Sequence, residues 1–373
     1  MAFGLFKKGE KKDESQAHTG PRYYELKVKD IIHETRDAIS LVFEQPANGK
    51  INYRAGQFLT LLTNIQGKEV RRTYSLCSSP FVEDDLAVSV KRVENGLMSN
   101  WLIDHLKPGD LVKVMEPMGQ FVTEFNKNNK RHLVMFAGGS GITPMMSIIK
   151  STLNQEPESI CSLIYCNRDV DSVIFKAELD RLQTEDEGRL HVIHILDNAP
   201  MNWQGYSGLL NHEMLKKLFE RIPDWGNEKT TYLMCGPEGM MKNVDSLLAL
   251  QSISKDKIFK ESFVAGVLDK DKKAEAPAGK ANTAHEVTIR YDGQEYKVMV
   301  EPNRFILETA LDQGIDLPYS CQSGLCTACR GKALSGKVKL DEEEGLSQSE
   351  RDEGYVLTCV GHPLTDDVVI EIG

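Results

Sequence analysis

The chain has 373 residues, 40% of them hydrophobic and 27% charged, with a formal net charge of −10. That is the balance of a folded protein of two or three domains and excludes a disordered or fibrous chain. From Glu286 onward there are 17 acids and 8 bases, so nearly all the excess negative charge sits in the last quarter; a nucleic-acid-binding face, which needs clustered positive charge, is excluded.

The start, "MAFGLFKKGEKK", places its lysines after a short apolar stretch, the reverse of a secretory leader. No apolar run approaches the roughly 18 residues of a membrane span, and the expected location is cytoplasmic. Residues 1–20 read as a disordered tail, in which contact of Lys7, Lys8, Lys11 and Lys12 with a membrane surface is the lesser alternative. Residues 21–126 hold short runs of strand character, "YYELKVKDII", "ISLVFEQ", "GQFLTLLTNI", "RRTYSLCS", "LAVSVKRV" and "LVKVMEP", separated by turn residues. This pattern predicts a small antiparallel barrel. Over 127–265, strands and helices alternate: "RHLVMFAGG", "PMMSIIKSTL", "ICSLIYCNR", "VIFKAELDRLQ", "LHVIHIL", "NHEMLKKLF", "TTYLMCGPEGM", "IFKESF". The alternation predicts an α/β domain with a parallel sheet and a nucleotide crevice at the strands' carboxyl ends. Residues 266–284 contain "LDKDKKAEAPAGKANTA", too poor in large apolar residues to order itself, and read as a linker. Residues 285–373 open with a hairpin around Asp292-Gly293, continue with a helix over "RFILETALDQG" ended by Gly314, and close with strands.

Between that helix and those strands lies "PYSCQSGLCTACRGK". Cys321, Cys326 and Cys329 follow C-x4-C-x2-C spacing, and 29 residues separate Cys329 from Cys359. This is the plant-type 2Fe-2S spacing, in which one tight loop supplies three thiolates and a distant strand the fourth. The small Ser323, Gly324, Thr327 and Ala328 let the backbone wrap such a cluster and donate to its sulfurs. A structural zinc site is the alternative, but it prefers two close cysteine pairs and only one exists. The other cysteines, Cys77, Cys161 and Cys166, read as inert strand thiols, and His191 and His194 as structural.

Three further stretches carry chemistry. In "RRTYSL", Arg72 suits a pyrophosphate, Tyr74 offers an aromatic face and Ser75 a hydroxyl. In "VKRVENGLMSNWL", Gly96 and Ser99 stand at a helix start, where phosphates bind. In "AGGSGITPMMSII", Gly138, Gly139 and Gly141 allow a tight turn and close approach, and Thr143 and Pro144 open a helix.

Taken together, R-x-Y-S at Arg72 to Ser75, G-x-x-S at Gly96 to Ser99, GGSGITP at Gly138 to Pro144, "CGPEGM" at Cys235 to Met240 and the cysteine set resemble the ferredoxin–NADP reductase superfamily joined to a plant-type ferredoxin domain. The resemblance spans about 21–373. It implies a multidomain fold: an antiparallel β-barrel FAD domain, an α/β parallel-sheet NAD(P) domain and an α+β, β-grasp-like ferredoxin domain. It implies FAD contacts from Arg72, Thr73, Tyr74, Ser75, Val90, Lys91, Gly96, Met98 and Ser99, and a nicotinamide nucleotide at Gly138, Gly139, Gly141, Thr143, Pro144, Cys235, Gly236 and Pro237. Ser75 and Cys235 would flank the reacting rings; outside this motif Cys235 would read as a buried thiol. Phe263 is either an aromatic beside the flavin or a core residue. Arg168 favours the 2′-phosphate of NADPH, while Asp169 and Asp171 offer acceptors for the ribose of NADH.

The domain order is that of the reductase components of multicomponent oxygenases, and the motif set is similar to reductases that serve diiron epoxidases of phenylacetyl-CoA. The expected partner is such an oxygenase, selected in part by the acidic run "DEEEGLSQSERDE". A desaturase, another ring oxygenase or a hybrid-cluster protein as acceptor, and a redox sensor without turnover, are the alternatives.

Overall fold

The computed structural model describes residues 22–186, 188–263, 283–319, 322, 324, 326–343, 345–346 and 348–372, with the side chains of Gln348 and Ser349 left aside. The expected tail, nearly all of the linker, Cys321 and Ser323 lie outside the described residues.

The first unit contains β1 (Tyr23–Thr35), β2 (Ala38–Phe43), β3 (Phe58–Ile65), β4 (Lys68–Ser75), β5 (Leu86–Lys91), α1 (Leu97–His105) and β6 (Leu111–Met115). The strands form one antiparallel sheet in the order β4-β3-β6-β1-β2-β5. A bridge from Leu76 to Val88 brings the two ends together and curls the sheet into a barrel. Leu26, Val28, Leu41, Phe43, Leu59, Leu61, Val88 and Val114 are buried in its interior. Cys77, expected on a strand, lies just beyond β4.

The second unit contains β7 (His132–Gly138), α2 (Ile142–Gln155), β8 (Ile160–Asn167), α3 (Lys176–Glu185), β9 (Leu190–Leu196), β10 (Tyr206–Ser207), α4 (His212–Phe219), β11 (Thr230–Cys235), α5 (Glu238–Leu250) and β12 (Ile258–Glu261). All six strands are parallel, in the order β10-β9-β8-β7-β11-β12. The order reverses between β7 and β11, and such a switch point opens a crevice beyond the strand carboxyl ends. Every residue of β7 is buried, as a central parallel strand requires. The expected helix over "VIFKAELDRLQ" starts late, because Phe175 turns into the left-handed region at φ +60° and the helix begins at Lys176.

The barrel and this unit are tied by polar contacts from α2. Ser147 Oγ donates to Ser78 O at 2.5 Å, Ser151 and Ser79 share a hydroxyl bond at 2.8 Å, and the buried Lys150 ammonium pairs with Glu83. At the junction itself, Arg131 pairs with the fully buried Glu156 at 2.7 Å and donates to Thr123 Oγ1 at 2.7 Å. Both charges are thereby paired where desolvation would otherwise be costly.

The third unit contains β13 (His285–Tyr291), β14 (Gln294–Val300), α6 (Ile306–Asp312), β15 (Arg330–Ser335), β16 (Val338–Leu340), α7 (Gln348–Asp352), β17 (Tyr355–Leu357), β18 (Gly361–Pro363) and β19 (Val368–Ile372). Its five-stranded sheet runs β14-β13-β19-β15-β17, with β19 parallel to β13; a hairpin, a helix and a returning parallel strand make a β-grasp. Asp292 and Gly293 both have positive φ, +50° and +70°, between the paired Tyr291 and Gln294. This is the two-residue turn whose twist matches the flanking strands. Part of the acidic run expected to select a partner is folded into α7, where Glu350 pairs with Arg330.

Candidate functional site

Two backbone turns meet at the crevice. The one after β7 carries Gly138, Gly139 and Gly141, and the one after β11 carries Gly236 and Pro237. A Cβ on Gly141 would stand 2.0 Å from Cys235 O, and one on Gly138 would stand 2.4 Å from Pro237 Cδ. Only hydrogen fits at either position, so the glycines are a condition of the two turns touching. Their contact leaves the amino end of α2 facing the crevice, where unpaired N–H groups and the helix dipole suit a phosphate. Thr143 turns its hydroxyl back to Ser140 O at 3.0 Å, and Pro144 is buried in the first turn. From the barrel, Lys91 reaches over this turn: its Nζ lies 3.5 Å from the open Cβ position of Gly139.

On the barrel side, alternation along β4 separates Arg71 and Thr73 from Arg72 and Tyr74. Arg72 is exposed and donates to Arg71 O at 2.7 Å. The Tyr74 phenol is pushed far up by burial. Val90 is wholly buried in the barrel, and Met98 fills the same core, so contact from either to a cofactor would run through backbone. Gly96 caps α1, and Ser99 Oγ accepts from Val93 N at 3.1 Å, closing the turn that precedes it.

Where barrel and nucleotide unit meet, Ser75 Oγ donates to Glu261 Oε2 at 3.2 Å. Glu261 ends β12 in register with Cys235 at the end of β11. Burial pushes the Glu261 carboxyl up to about 8, against the pull of the Ser75 hydrogen bond. Burial, with Glu261 adding, also holds the Cys235 thiol well above its ordinary value. Cys235 is thus a neutral thiol and packs as one, which rules it out as a nucleophile at neutral pH. Ser75 and Cys235 stand in motifs that the sequence displays, whereas Glu261 does not; its only local signal is its place as the last polar residue of the closing strand. Phe263, two residues on, is exposed, and the core-residue alternative for it falls.

Arg168 follows β8 and is exposed; its Nε donates to Asp169 Oδ2 at 3.0 Å and its Nη2 lies 4.0 Å from Asp37. Asp169 in turn accepts from Ser172 Oγ at 2.6 Å. His194 is packed on Tyr165, 5.9 Å between ring centroids, and desolvation lowers its pKa. Burial pushes the thiols of Cys77 to about 11 and of Cys161 and Cys166 to about 12, fitting their reading as inert.

Among the described cysteines of the third unit, Cys326, Cys329 and Cys359 are buried. The antiparallel pair Arg330 with Leu357 continues into two bonds from Thr358, N and Oγ1, to Cys329 O at 3.1 and 3.0 Å. That ladder delivers Cys359 to the cysteine loop. Gly324, at φ +75°, has no room for a side chain, since a Cβ would lie 2.7 Å from Glu342 Cβ. The acidic run therefore wraps the loop. Cys359 itself lies in the turn just beyond β17, not on the strand expected for it; buried thiols from two loops, enclosed by close-packed backbone, fit a 2Fe-2S cluster. On the barrel side of the loop, Cys326 and Ala328 pack with Phe58 and Met118 in a small apolar cluster. Phe58 is the β3 partner of Ser75. Cluster loop and flavin strand thus share one contact.

A barrel, a nucleotide crevice and a cysteine-rich β-grasp in this order define a flavin- and nicotinamide-dependent iron–sulfur reductase. Family models agree: an oxidoreductase FAD-binding domain matches residues 25–123, an oxidoreductase NAD-binding domain 135–246, and a 2Fe-2S iron–sulfur cluster binding domain 289–364. The chain is 33% identical to a component of the 1,2-phenylacetyl-CoA epoxidase of Escherichia coli K12, over 94% of this chain and 97% of the relative. It is 35% identical to the ferredoxin reductase component of 3-ketosteroid-9-alpha-monooxygenase from Rhodococcus rhodochrous, with the same two coverages. Phthalate dioxygenase reductase shares the fold, with TM-score 0.56 and 24% identity over 94% of this chain and 98% of that one. The chain belongs to the ferredoxin–NADP reductase superfamily, in the branch with a C-terminal 2Fe-2S domain, and is an oxidoreductase with FAD-binding, NAD-binding and 2Fe-2S domains. No helix among the described residues is long and apolar enough to cross a membrane.

Proposed function

We propose that the chain takes electrons from a reduced nicotinamide onto FAD and hands them through the cluster of Cys321, Cys326, Cys329 and Cys359 to the diiron epoxidase of phenylacetyl-CoA. The observation that carries the serial route is the packing of Phe58, partner of Ser75, on Cys326 and Ala328. Bound FAD supplies the change from electron pairs to single electrons. The chain's own residues do the positioning. Arg72 and Lys91 offer cations to the cofactor phosphates, with Thr73, Tyr74, Val90, Gly96, Met98 and Ser99 lining the flavin cleft. The turns at Gly138, Gly139, Gly141, Gly236 and Pro237, with the α2 start at Thr143 and Pro144, admit the nicotinamide nucleotide. Ser75, Glu261 and Cys235 present a hydroxyl, a protonated carboxyl and a neutral thiol to the reacting edge, and Phe263 lies beside it.

The phenylacetyl-CoA partner is supported by similarity over 94% of the chain to the Escherichia coli protein; the comparable similarity to the ketosteroid reductase makes a ketosteroid monooxygenase the competing acceptor. Cys329→Ser should abolish cytochrome c reduction and leave most ferricyanide reduction; equal loss of both would sink the serial route. Reconstitution with each oxygenase separates the partners: the epoxidase should turn over at least about tenfold faster, and the reverse order would assign the chain elsewhere.

For the nicotinamide, NADPH rests on Arg168. A specific observation favours NADH: Arg168 is bound to Asp169 and flanked by Asp37, so a 2′-phosphate must break that pair and sit among carboxylates. The ratio of KM for the two nucleotides decides, and a lower KM for NADPH that Arg168→Ala abolishes would restore the first reading.

A further inference from the structure

The cluster domain touches the barrel at a second place, beside the Phe58 contact. Arg71 projects from β4 on the face opposite Arg72. It is 5% exposed although it lies on the end strand of the sheet. Part of its cover comes from the other domain. Its Nη2 bonds Asp316 Oδ1 at 3.0 Å, and its guanidinium carbon lies 4.5 Å from the centroid of the Tyr319 ring. On its own strand the same Nη2 lies 2.7 Å from Glu69 Oε1. Nη1 is buried with no hydrogen-bond partner among the described residues. Nearby, Lys113 sits 4.7 Å over the Tyr23 ring, and the phenols of Tyr23 and Tyr291 are both pushed up by burial, with Asp316 adding to each.

One guanidinium therefore stands between two carboxylates of different domains. With it present, Glu69 and Asp316 are bridged. Without it, they become like charges held a few ångströms apart, and attraction turns into repulsion. The contact is twofold in chemistry as well, since the charge pair and the cation–π face engage different atoms of the same group.

We propose that Arg71 is a positioning residue, an electrostatic latch that holds the cluster domain against the flavin barrel through Asp316 and Tyr319 and so keeps Cys326 on Phe58. The inference rests on the serial flavin-to-cluster reading for its purpose, but its test does not. Asp316 is 71% exposed at its side chain, so the latch is partly open to solvent and answers to salt.

Hydrogen–deuterium exchange on the full-length holoprotein reads the latch directly. In Arg71→Gln, amide protection over 315–319 and over β4 should fall on the order of tenfold, as loss of a charge-assisted bond predicts. The nucleotide unit, β7 and β8, should keep its protection. Asp316→Asn, which cannot unfold the barrel, should give the same pattern, and the double variant should lose no more than either single one. About 0.5 M salt should move the wild type toward the variants. Unchanged protection in both single variants overturns the latch. Loss spread through β1 and β2, which do not pair with β4, also overturns it and makes Arg71 a barrel-stability residue. Cytochrome c reduction that survives Cys329→Ser would defeat the electron route and leave the exchange result standing; altered exchange and a broken route are thus separate outcomes.

Discussion

Replacing Glu261 with glutamine isolates the junction of the barrel and the nucleotide unit. The carboxyl sits at about 8 in the folded chain against an ordinary 4.5, with desolvation as the main cause. Each tenfold in proton affinity is about 1.4 kcal/mol, so ionising it in place costs at most about 5 kcal/mol relative to the unfolded chain. Water entry and relaxation at a partly exposed group bring the observable cost nearer 2 kcal/mol on the order-of-magnitude scale. The sign follows from the raised value. The folded chain binds this proton more tightly, so its contribution to stability is complete below about pH 4.5 and is lost as pH rises through about 8. Glutamine mimics the protonated form and does not titrate. In paired thermal scans of flavin-free protein, wild type and Glu261→Gln should melt together near pH 5. By pH 9 the variant should be the more stable, by roughly 4–8 °C. All other groups titrate alike in both chains, so the difference curve belongs to Glu261. Ser75→Ala removes the one bond that favours the ionised form and should deepen the loss at high pH in a chain that keeps Glu261. Parallel curves from pH 5 to 9 would refute the desolvated-carboxyl reading.

Gly141→Ala should be severe, costing about 3 kcal/mol and most nicotinamide affinity, because the obstructing atom is the Cys235 carbonyl and not a movable side chain. Gly188→Ala, with φ +83° and open space around it, is the control and should cost only about 1 kcal/mol by thermal melting. Lys150→Met should lower stability by about 3 kcal/mol, since it strands Glu83 at the interface with α2; a neutral result in denaturant titration would mean water reaches that carboxylate. Cys77 and Cys161 should resist alkylation at pH 8 until the chain unfolds, as peptide mapping after labelling would reveal, because burial keeps both thiols protonated.

The parts that were readable from the letters share a physical character. Gly139, at φ +53°, answers a local backbone need, Asp292-Gly293 a local twist, and the continuous apolar run of β7 a strand covered on both faces. Each constraint acts within a few residues, so it leaves a short pattern. The spacing of Cys326 and Cys329 is likewise the imprint of one loop. Phe175 is the local exception: a bulky residue at φ +60° has no sequence signature, and tertiary packing overrides what the run "VIFKAELDRLQ" prefers. The contacts that could not be read join distant parts of the chain. Ser75 meets Glu261 across 186 residues and Arg71 meets Asp316 across 245. Both lie between domains, where the requirement is complementarity of two side chains and not periodicity in either segment. For the same reason Arg72 is legible in the sequence and its neighbour Arg71 is not. Arg72 stands in the R-x-Y-S motif, whereas Arg71, on the opposite face, turns toward another domain, whose position no motif in β4 encodes. A reductase of this build thus announces its cofactors in its turns and conceals its electron path in its interfaces. The residues that decide how fast electrons leave the flavin are then to be sought among the unpatterned polar and aromatic groups at those interfaces.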